Sequence, residues 1–355
     1  QLLGMTPDEL AAYLKALGQP AFRAKQVFSW LHQGAAFEQM SNLPKALRET
    51  LAETCTANPV AVLETIESKL DGTIKLLYRL PDGHVIEGVL MRYKYGNTLC
   101  LSTQVGCRMG CAFCASTLEG CVRSLHAGEM LGQIAAIERD EGAPPGRRAV
   151  TNVVLMGSGE PLDNLDNVLR FLRLVTAQEG MRISPRNISV STCGLVPQME
   201  RFTAEAPHVT LSVSLHAHDD ETRSRIMPVN RAYPIAGVLR AAREYAAATG
   251  RRVVFEYALI RGLNAAEADA VALARLLRGM NCHVNLIPLN PVPERGLPGA
   301  TRQEAAAFQA WLTREGASAT VRREMGTDIE GACGQLRRRV LHEIRDEDPH
   351  RAARP

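Results

Sequence analysis

The chain has 355 residues and a mass of 38.7 kDa; 46% of its residues are hydrophobic and 22% charged, enough for one large domain and one or two small ones with buried cores. No apolar run approaches the ~18 residues a spanning helix needs, and the first thirty positions carry charges and a proline where a signal peptide is apolar, so a cytoplasmic protein with no membrane contact is expected. The net charge of +3, from 41 Lys+Arg against 38 Asp+Glu, does not by itself announce a nucleic-acid binder.

From the first residues the pattern is helical. Thr6-Pro7-Asp8-Glu9 supplies an N-cap, a proline at N1 and first-turn acids, followed by Leu10, Tyr13, Leu14 and Leu17 at helical spacing. A second helix after Pro20 carries Phe22, Val27, Phe28, Trp30 and Leu31 among Arg23, Lys25 and His32. A basic helix with aromatic residues suits RNA, although such a stripe is more often core with a solvated rim. Residues 1–55 therefore read as an N-terminal helical accessory, RNA-binding domain. Over 56–96 the pattern changes to short strands, with Lys75 to Leu80, a Pro81-Asp82-Gly83 turn and His84 to Met91, which predicts a small β linker.

From 97 onward strands and helices alternate, the signature of a parallel α/β sheet or barrel. Strands are predicted at Thr98 to Thr103, Asn152 to Met156, Asn187 to Thr192, Val209 to Leu215, Val253 to Ile260, Val284 to Leu289 and Ala319 to Arg323. Helices are predicted at Leu165 to Thr176, Ile235 to Ala248, Ala265 to Leu277 and Thr301 to Glu315. Seven strands are too few for a closed eight-stranded barrel. An open, partial (β/α) barrel over 97–336, followed by a charged tail at 337–355, is the expected architecture.

Nine cysteines, an odd number in a chain of this size, make a disulfide framework a poor explanation and metal or redox chemistry a better one. Gly106-Cys107-Arg108-Met109-Gly110-Cys111-Ala112-Phe113-Cys114 spaces three of them C-x3-C-x2-C after the first core strand. Three thiolates this close can hold three irons of a 4Fe-4S cube. The fourth iron is then open to a substrate, as an open position separates catalytic from structural metal sites. A zinc site completed by Cys121 or His126 is the alternative.

The spacing resembles that of the radical S-adenosylmethionine (SAM) superfamily, in which the amino and carboxylate groups of SAM occupy the open iron and one electron cleaves SAM to methionine and a 5′-deoxyadenosyl radical. Ligands of parallel barrels bind at the C-terminal ends of strands. Those ends carry Gly157-Ser158-Gly159-Glu160-Pro161, Ser191-Thr192-Cys193-Gly194, Ser214-Leu215-His216 and Asn290-Pro291. The glycines permit close backbone approach, Glu160 can accept from an ammonium, and Ser191, Ser214 and Asn290 are neutral partners for ribose and carboxylate.

Through Ser102-Thr103-Gln104-Val105-Gly106-Cys107, Arg225-Ile226-Met227-Pro228-Val229-Asn230, His283-Val284-Asn285-Leu286-Ile287-Pro288 and Asp328-Ile329-Glu330-Gly331-Ala332-Cys333-Gly334-Gln335-Leu336, the chain resembles the RlmN-type dual-specificity RNA methyltransferases over nearly its whole length. The resemblance implies cluster ligands at Cys107, Cys111 and Cys114 and SAM contacts at Gly159, Glu160, Ser191, Ser214, Leu215, His216 and Asn290. It implies catalytic cysteines at Cys333 and Cys100 and an acid-base carboxylate at Glu87. The implied partners are 23S ribosomal RNA, tRNA and an external electron donor of the flavodoxin type.

The implied reaction is methylation of adenine C2. That carbon lies between two ring nitrogens and is too electron-poor to attack the SAM methyl as a nucleophile. The methyl passes instead through Cys333; a thiomethylene radical adds to C2, Glu87 takes the C2 proton, and Cys100 releases the product through a transient disulfide. The related C8-adenine methyltransferase of antibiotic resistance shares this plan, and a zinc-stabilised RNA-binding module without catalysis is the alternative of a different class. Arg322-Arg323 and Arg337-Arg338-Arg339 bracket Cys333 and suit RNA phosphate. Ser158 stands where many relatives carry a larger apolar residue, which predicts a looser adenine or methionine pocket; Cys55, Cys121, Cys193 and Cys282 are expected to be structural.

Overall fold

Helix α1 (Pro7–Ala16) starts with the cap its sequence announces: the Thr6 hydroxyl accepts the Glu9 N–H at 3.3 Å and the Glu9 carboxylate accepts the Thr6 N–H at 2.8 Å. Helices α2 (Phe22–Leu31) and α3 (Lys45–Thr54) complete the N-terminal part of this computed structural model, which describes residues 1–140, 148–290 and 292–329. Cys333, the sequence from Glu330 to Leu336, Pro291, Arg337-Arg338-Arg339 and the charged tail at 337–355 lie outside the described residues.

The apolar stripe of α2 is core, with Ala24, Val27, Phe28 and Leu31 all buried, while Phe22 stays exposed beneath the Arg23 guanidinium. His32 departs from the expected basic face. It stacks on the Phe28 ring at 4.0 Å with no exposed surface, and burial, helped by the nearby Arg148 charge, pushes its pKa down to about 3. A neutral, buried imidazole cannot meet RNA.

Strands β1 (Ala61–Glu67), β2 (Ile74–Arg79), β3 (Val85–Tyr93) and β4 (Gly96–Cys100) run antiparallel in series. A hairpin, β5 (Gln104–Gly106) with β6 (Cys121–Ser124), stands apart and brackets the three-cysteine loop. Then follow α4 (Ala127–Asp140), β7 (Asn152–Leu155), α5 (Leu165–Val175), β8 (Ile188–Thr192), α6 (Val196–Glu205), β9 (Thr210–Ser214) and α7 (Asp220–Ile226). The chain continues through α8 (Ile235–Thr249), β10 (Val253–Leu259), α9 (Glu267–Leu277), β11 (Cys282–Pro288), α10 (Arg302–Arg314) and β12 (Ala319–Val321).

Ten strands form one sheet, ordered β1-β2-β3-β4-β7-β8-β9-β10-β11-β12, antiparallel up to β4 and parallel from β4 onward. β1 and β12 are its two ends, so the parallel part is an open, partial barrel. The strands over 56–96 are hydrogen bonded in series onto β4 and form an antiparallel wing of that sheet. The N-terminal part meets α4 through Gly4 and Gly34, and most residues of α4 are buried. Gly34 comes close to it: at φ 78°, a Cβ there would lie 2.3 Å from the Ala135 carbonyl oxygen. Among the described residues no helix is long and apolar enough to cross a membrane.

Candidate active site

The three-cysteine loop is fixed by groups other than its thiols. The Cys107 N–H donates to the Gly120 carbonyl and the Ala112 N–H to the Ile226 carbonyl, each at 2.8 Å, and the Thr117 hydroxyl donates to the carbonyls of Cys111 and Cys114 at 3.1 and 3.0 Å. Cys107, Cys111 and Cys114 are thereby left to line one cleft of about 590 Å³, a volume typical of a small-molecule site. Burial pushes the Cys107 thiol up to about 12 and raises Cys111 as well, with repulsion among the three thiols acting in the same direction. Coordination to metal deprotonates such thiols outright, so the donor set fits an iron-sulfur cluster. Among the described residues no three His, Cys, Asp or Glu side chains converge to hold a single metal ion; a cube asks for no such convergence, because each thiolate takes a different iron. Cys121 stands opposite Gly106 across the β5–β6 pair, but neither it nor the exposed His126 lines the cleft.

Opposite the loop, the rim of the parallel strands contributes Gly159, Glu160, Ser191, Ser214, His216 and Asn290. Gly159 has φ 107°, and a Cβ on it would lie 2.6 Å from Gln104 Cβ, so only glycine lets this turn lie against the start of β5. The Glu160 side chain is buried and accepts N–H bonds from Leu162 at 3.0 Å and Cys193 at 2.9 Å, one on each oxygen. Its pKa is nonetheless raised, burial outweighing these bonds. A cationic amine arriving in the cleft supplies the missing charge.

His216 holds a φ of 56°, uncommon outside glycine. Its Nδ1 accepts the Ala258 N–H at 2.9 Å and burial pushes its pKa to about 3, which leaves a neutral ring with its proton on Nε2. The ring meets Phe113 of the three-cysteine loop edge-on at 4.9 Å.

Two expected pocket residues do not reach the wall. Leu215 is fully buried, with its N–H given to the Glu256 carbonyl at 3.1 Å and its carbonyl accepting from Arg223 at 3.1 Å. Ser158 does not line the cleft either: its N–H donates to the Ser102 hydroxyl at 2.9 Å, its carbonyl accepts from Thr103 and Gln104, and its hydroxyl is buried without a partner. Its side chain is buried off the cleft wall, so the lining does not show the looser pocket expected of it.

The antiparallel wing supplies the remaining candidates. Val89 on β3 stands opposite Cys100 on β4, and together with Met91 they pack against Val154, Met156 and Met325 while lining the cleft. Strand alternation puts Glu87 on this same face, two residues from Val89. Glu87 is buried and off the cleft wall itself; its carbonyl accepts the Ser102 hydroxyl at 2.7 Å, the same oxygen that receives the Ser158 N–H. Cys100 thus shares a cleft with the three-cysteine loop, and Glu87 flanks it.

Two residues that sequence reasoning missed organise the rim. Arg223 on α7 has no exposed surface and donates to the carbonyls of Cys193 at 2.6 Å and Ser214 at 3.1 Å, holding two rim loops from beneath. Gln104 accepts the Glu160 N–H at 2.9 Å while its amide donates to Asp163 at 2.9 Å. Gln104 lies within a quoted motif, whereas Arg223 sits among polar and charged neighbours on α7, and nothing in the sequence there sets it apart.

An open parallel sheet with three cysteines after its first parallel strand, facing a Gly-Glu, Ser, Ser-x-His and Asn rim, defines a radical SAM enzyme. Residues 1–57 match the family described as "Ribosomal RNA large subunit methyltransferase N-terminal domain", and residues 101–274 match the Radical SAM superfamily. The chain is 49% identical to a "Probable dual-specificity RNA methyltransferase RlmN" of Lachnoclostridium phytofermentans, over 94% of this chain and 93% of that one. It is likewise 49% identical to a protein of the same name from Clostridium perfringens, over 96% and 97%. A crystal structure of a radical SAM methyltransferase from Sphaerobacter thermophilus superposes with a TM-score of 0.90 at 46% identity, covering 94% of this chain and 98% of that one. The chain belongs to the RlmN family of radical SAM methyltransferases, with the superfamily's 4Fe-4S cluster and SAM as its cofactors.

Proposed function

We propose that this enzyme methylates C2 of adenine in 23S ribosomal RNA and in tRNA, in the cytoplasm, with a flavodoxin-type protein as electron donor. The observation that carries this reading is the placement of Cys100 in the same cleft as Cys107, Cys111 and Cys114, on a face that Glu87 shares. A second thiol in a radical SAM cleft has little purpose in a direct transfer and a specific one in a transfer through sulfur.

The three loop cysteines hold the cluster, and Glu160, Ser191, Ser214, His216 and Asn290 receive SAM. Bound there, cluster and SAM supply a methyl donor and, by one-electron cleavage, a hydrogen-abstracting radical. Cys333 takes the methyl as a thiolate nucleophile. Once the methyl carbon on Cys333 has lost a hydrogen atom to that radical and bonded to C2, and the adduct has given up one electron, Glu87 takes the C2 proton; Cys100 then attacks the Cys333 sulfur, so that a disulfide forms as the carbon-sulfur bond breaks and the freed carbon takes a proton to become the methyl group. External reductant restores the two thiols.

The test is to map methylated adenines in total RNA from cells with and without the protein, by nuclease digestion and comparison with 2-methyladenosine and 8-methyladenosine standards. Loss of 2-methyladenosine from both RNA classes is expected. Loss of 8-methyladenosine instead would assign the chain to the C8 reaction.

A further inference from the structure

Glu256 is a carboxylate of the cleft with no part in the reaction above. It sits on β10, 4% exposed, directly between Ser214 on β9 and Asn285 on β11 in the parallel ladder. Asn285 Nδ2 donates to Glu256 Oε2 at 2.7 Å, fixing one oxygen of a side chain that lines the cleft. The Glu256 backbone carbonyl also accepts the N–H groups of Leu215 and His216, at 3.1 and 3.4 Å, so its strand position is tied to the Ser214-Leu215-His216 rim. Burial raises its pKa, opposed by the Arg322 charge, so the ionised form gains from any donors that arrive.

Depth in the cleft decides what those donors are. His216 packs on Phe113 of the three-cysteine loop, whereas Ser214, the last residue of β9, and its ladder neighbour Glu256 lie back from that turn, within the sheet. A ligand whose head sits at the three cysteines reaches this level with its middle. A carboxylate only accepts, and an acidic residue that takes ribose hydroxyls is a recurrent solution in nucleotide sites.

We propose that Glu256, oriented by Asn285, accepts the ribose hydroxyls of SAM. The inference rests on this cleft being the SAM site. The test is equilibrium binding to the anaerobically cluster-loaded protein of SAM, S-adenosylhomocysteine and its 2′-deoxy and 3′-deoxy analogues. The wild type should bind the deoxy analogues several-fold more weakly than the parent. Glu256→Gln should weaken SAM and S-adenosylhomocysteine by a similar factor, about tenfold, and should largely abolish the penalty for a missing hydroxyl. Undiminished discrimination in the variant overturns the proposal. So does a loss confined to SAM, because that marks Glu256 as a partner of the sulfonium charge. If Glu256→Gln does not fold, Asn285→Ala, which removes only the orienting bond, must reduce the same discrimination; no reduction there also overturns it. Failure of the loaded wild type to bind SAM at all would instead reject the cleft as the SAM site.

Discussion

The Arg223 guanidinium donates to Asn230 Oδ1 at 2.8 Å, and Asn230 in turn donates its amide to the Asp220 carboxylate at 3.0 Å and the Ser224 hydroxyl at 2.9 Å. Asn230 closes the Arg225–Asn230 motif, whose Ile226 carbonyl anchors the three-cysteine loop and whose Met227 lines the cleft. One buried polar network therefore sets both the loop and the opposing rim.

Arg223→Lys is expected to be nearly as damaging as Arg223→Ala. A lysine has three donors on one point and cannot span carbonyls on separate loops. Leaving several buried acceptors unpaired at 1–3 kcal/mol each should lower stability by at least ~3 kcal/mol. Urea unfolding of the two variants and their iron content after reconstitution check this; a lysine variant with wild-type stability would show that charge alone suffices.

Acid should destabilise the protein earlier than its carboxylates explain. His32 and His216 both have folded pKa values near 3, against an unfolded value near 6.5, so between those limits the unfolded chain binds more protons than the native one. Stability conferred by the two neutral rings is present above pH 6.5 and is lost as pH falls toward 3, at about 1.4 kcal/mol per pH unit for each ring. His32→Leu, measured by urea midpoints at pH 7 and pH 5, should show a shallower fall. Identical slopes would place the His32 pKa much closer to normal.

Cys100→Ala should keep its cluster, accept a methyl on Cys333 and form the carbon bond to adenine, but fail to release it. Protein joined to RNA should then appear as a slow band in a denaturing gel that collapses on nuclease treatment, with little of it in the wild type. Cys333→Ala, in contrast, should load its cluster and make neither adduct nor product. If Cys100→Ala turns over normally and only loses stability, its sulfur is a core atom packed on Val89 and Met91.

Ser158→Ala is expected to be neutral or stabilising by up to ~1 kcal/mol, because it deletes a buried hydroxyl that has no partner among the described residues and does not line the cleft. Thermal unfolding and SAM affinity should both be measured. A weakened affinity would mean that the turn exposes this side chain to the ligand.

Strands and helices of the core were legible because hydrophobic period and turn residues agree along β7 to β12. The expected strand from Thr98 to Thr103 stops at Cys100, however, because Ser102 turns its hydroxyl onto the Glu87 carbonyl and its N–H onto Gln133. The β5–β6 pairing was missed: β5 has three residues, too few for period to register, and its partner lies beyond the cysteine loop. Most of the site was readable as spaced cysteines and short polar motifs at strand ends. Arg223 and Glu256 were not, since one charge among several on α7, or a single one inside β10, becomes informative only when the fold shows what surrounds it. Leu215 was carried in by its motif, and the structure spends its backbone on neighbours.

The hydrogen-bonded ladder that runs unbroken from β3 through β4 to β9 has a kinetic meaning. The wall bearing Cys100 and the wall bearing Ser191 and Ser214 belong to one hydrogen-bonded sheet, so on the proposed reading no strand has to move to bring Cys100 and the strand-end rim together. RNA then meets these two walls already in register, and solvent viscosity should slow arrival and departure of the nucleic acid while leaving the relation between the walls unchanged.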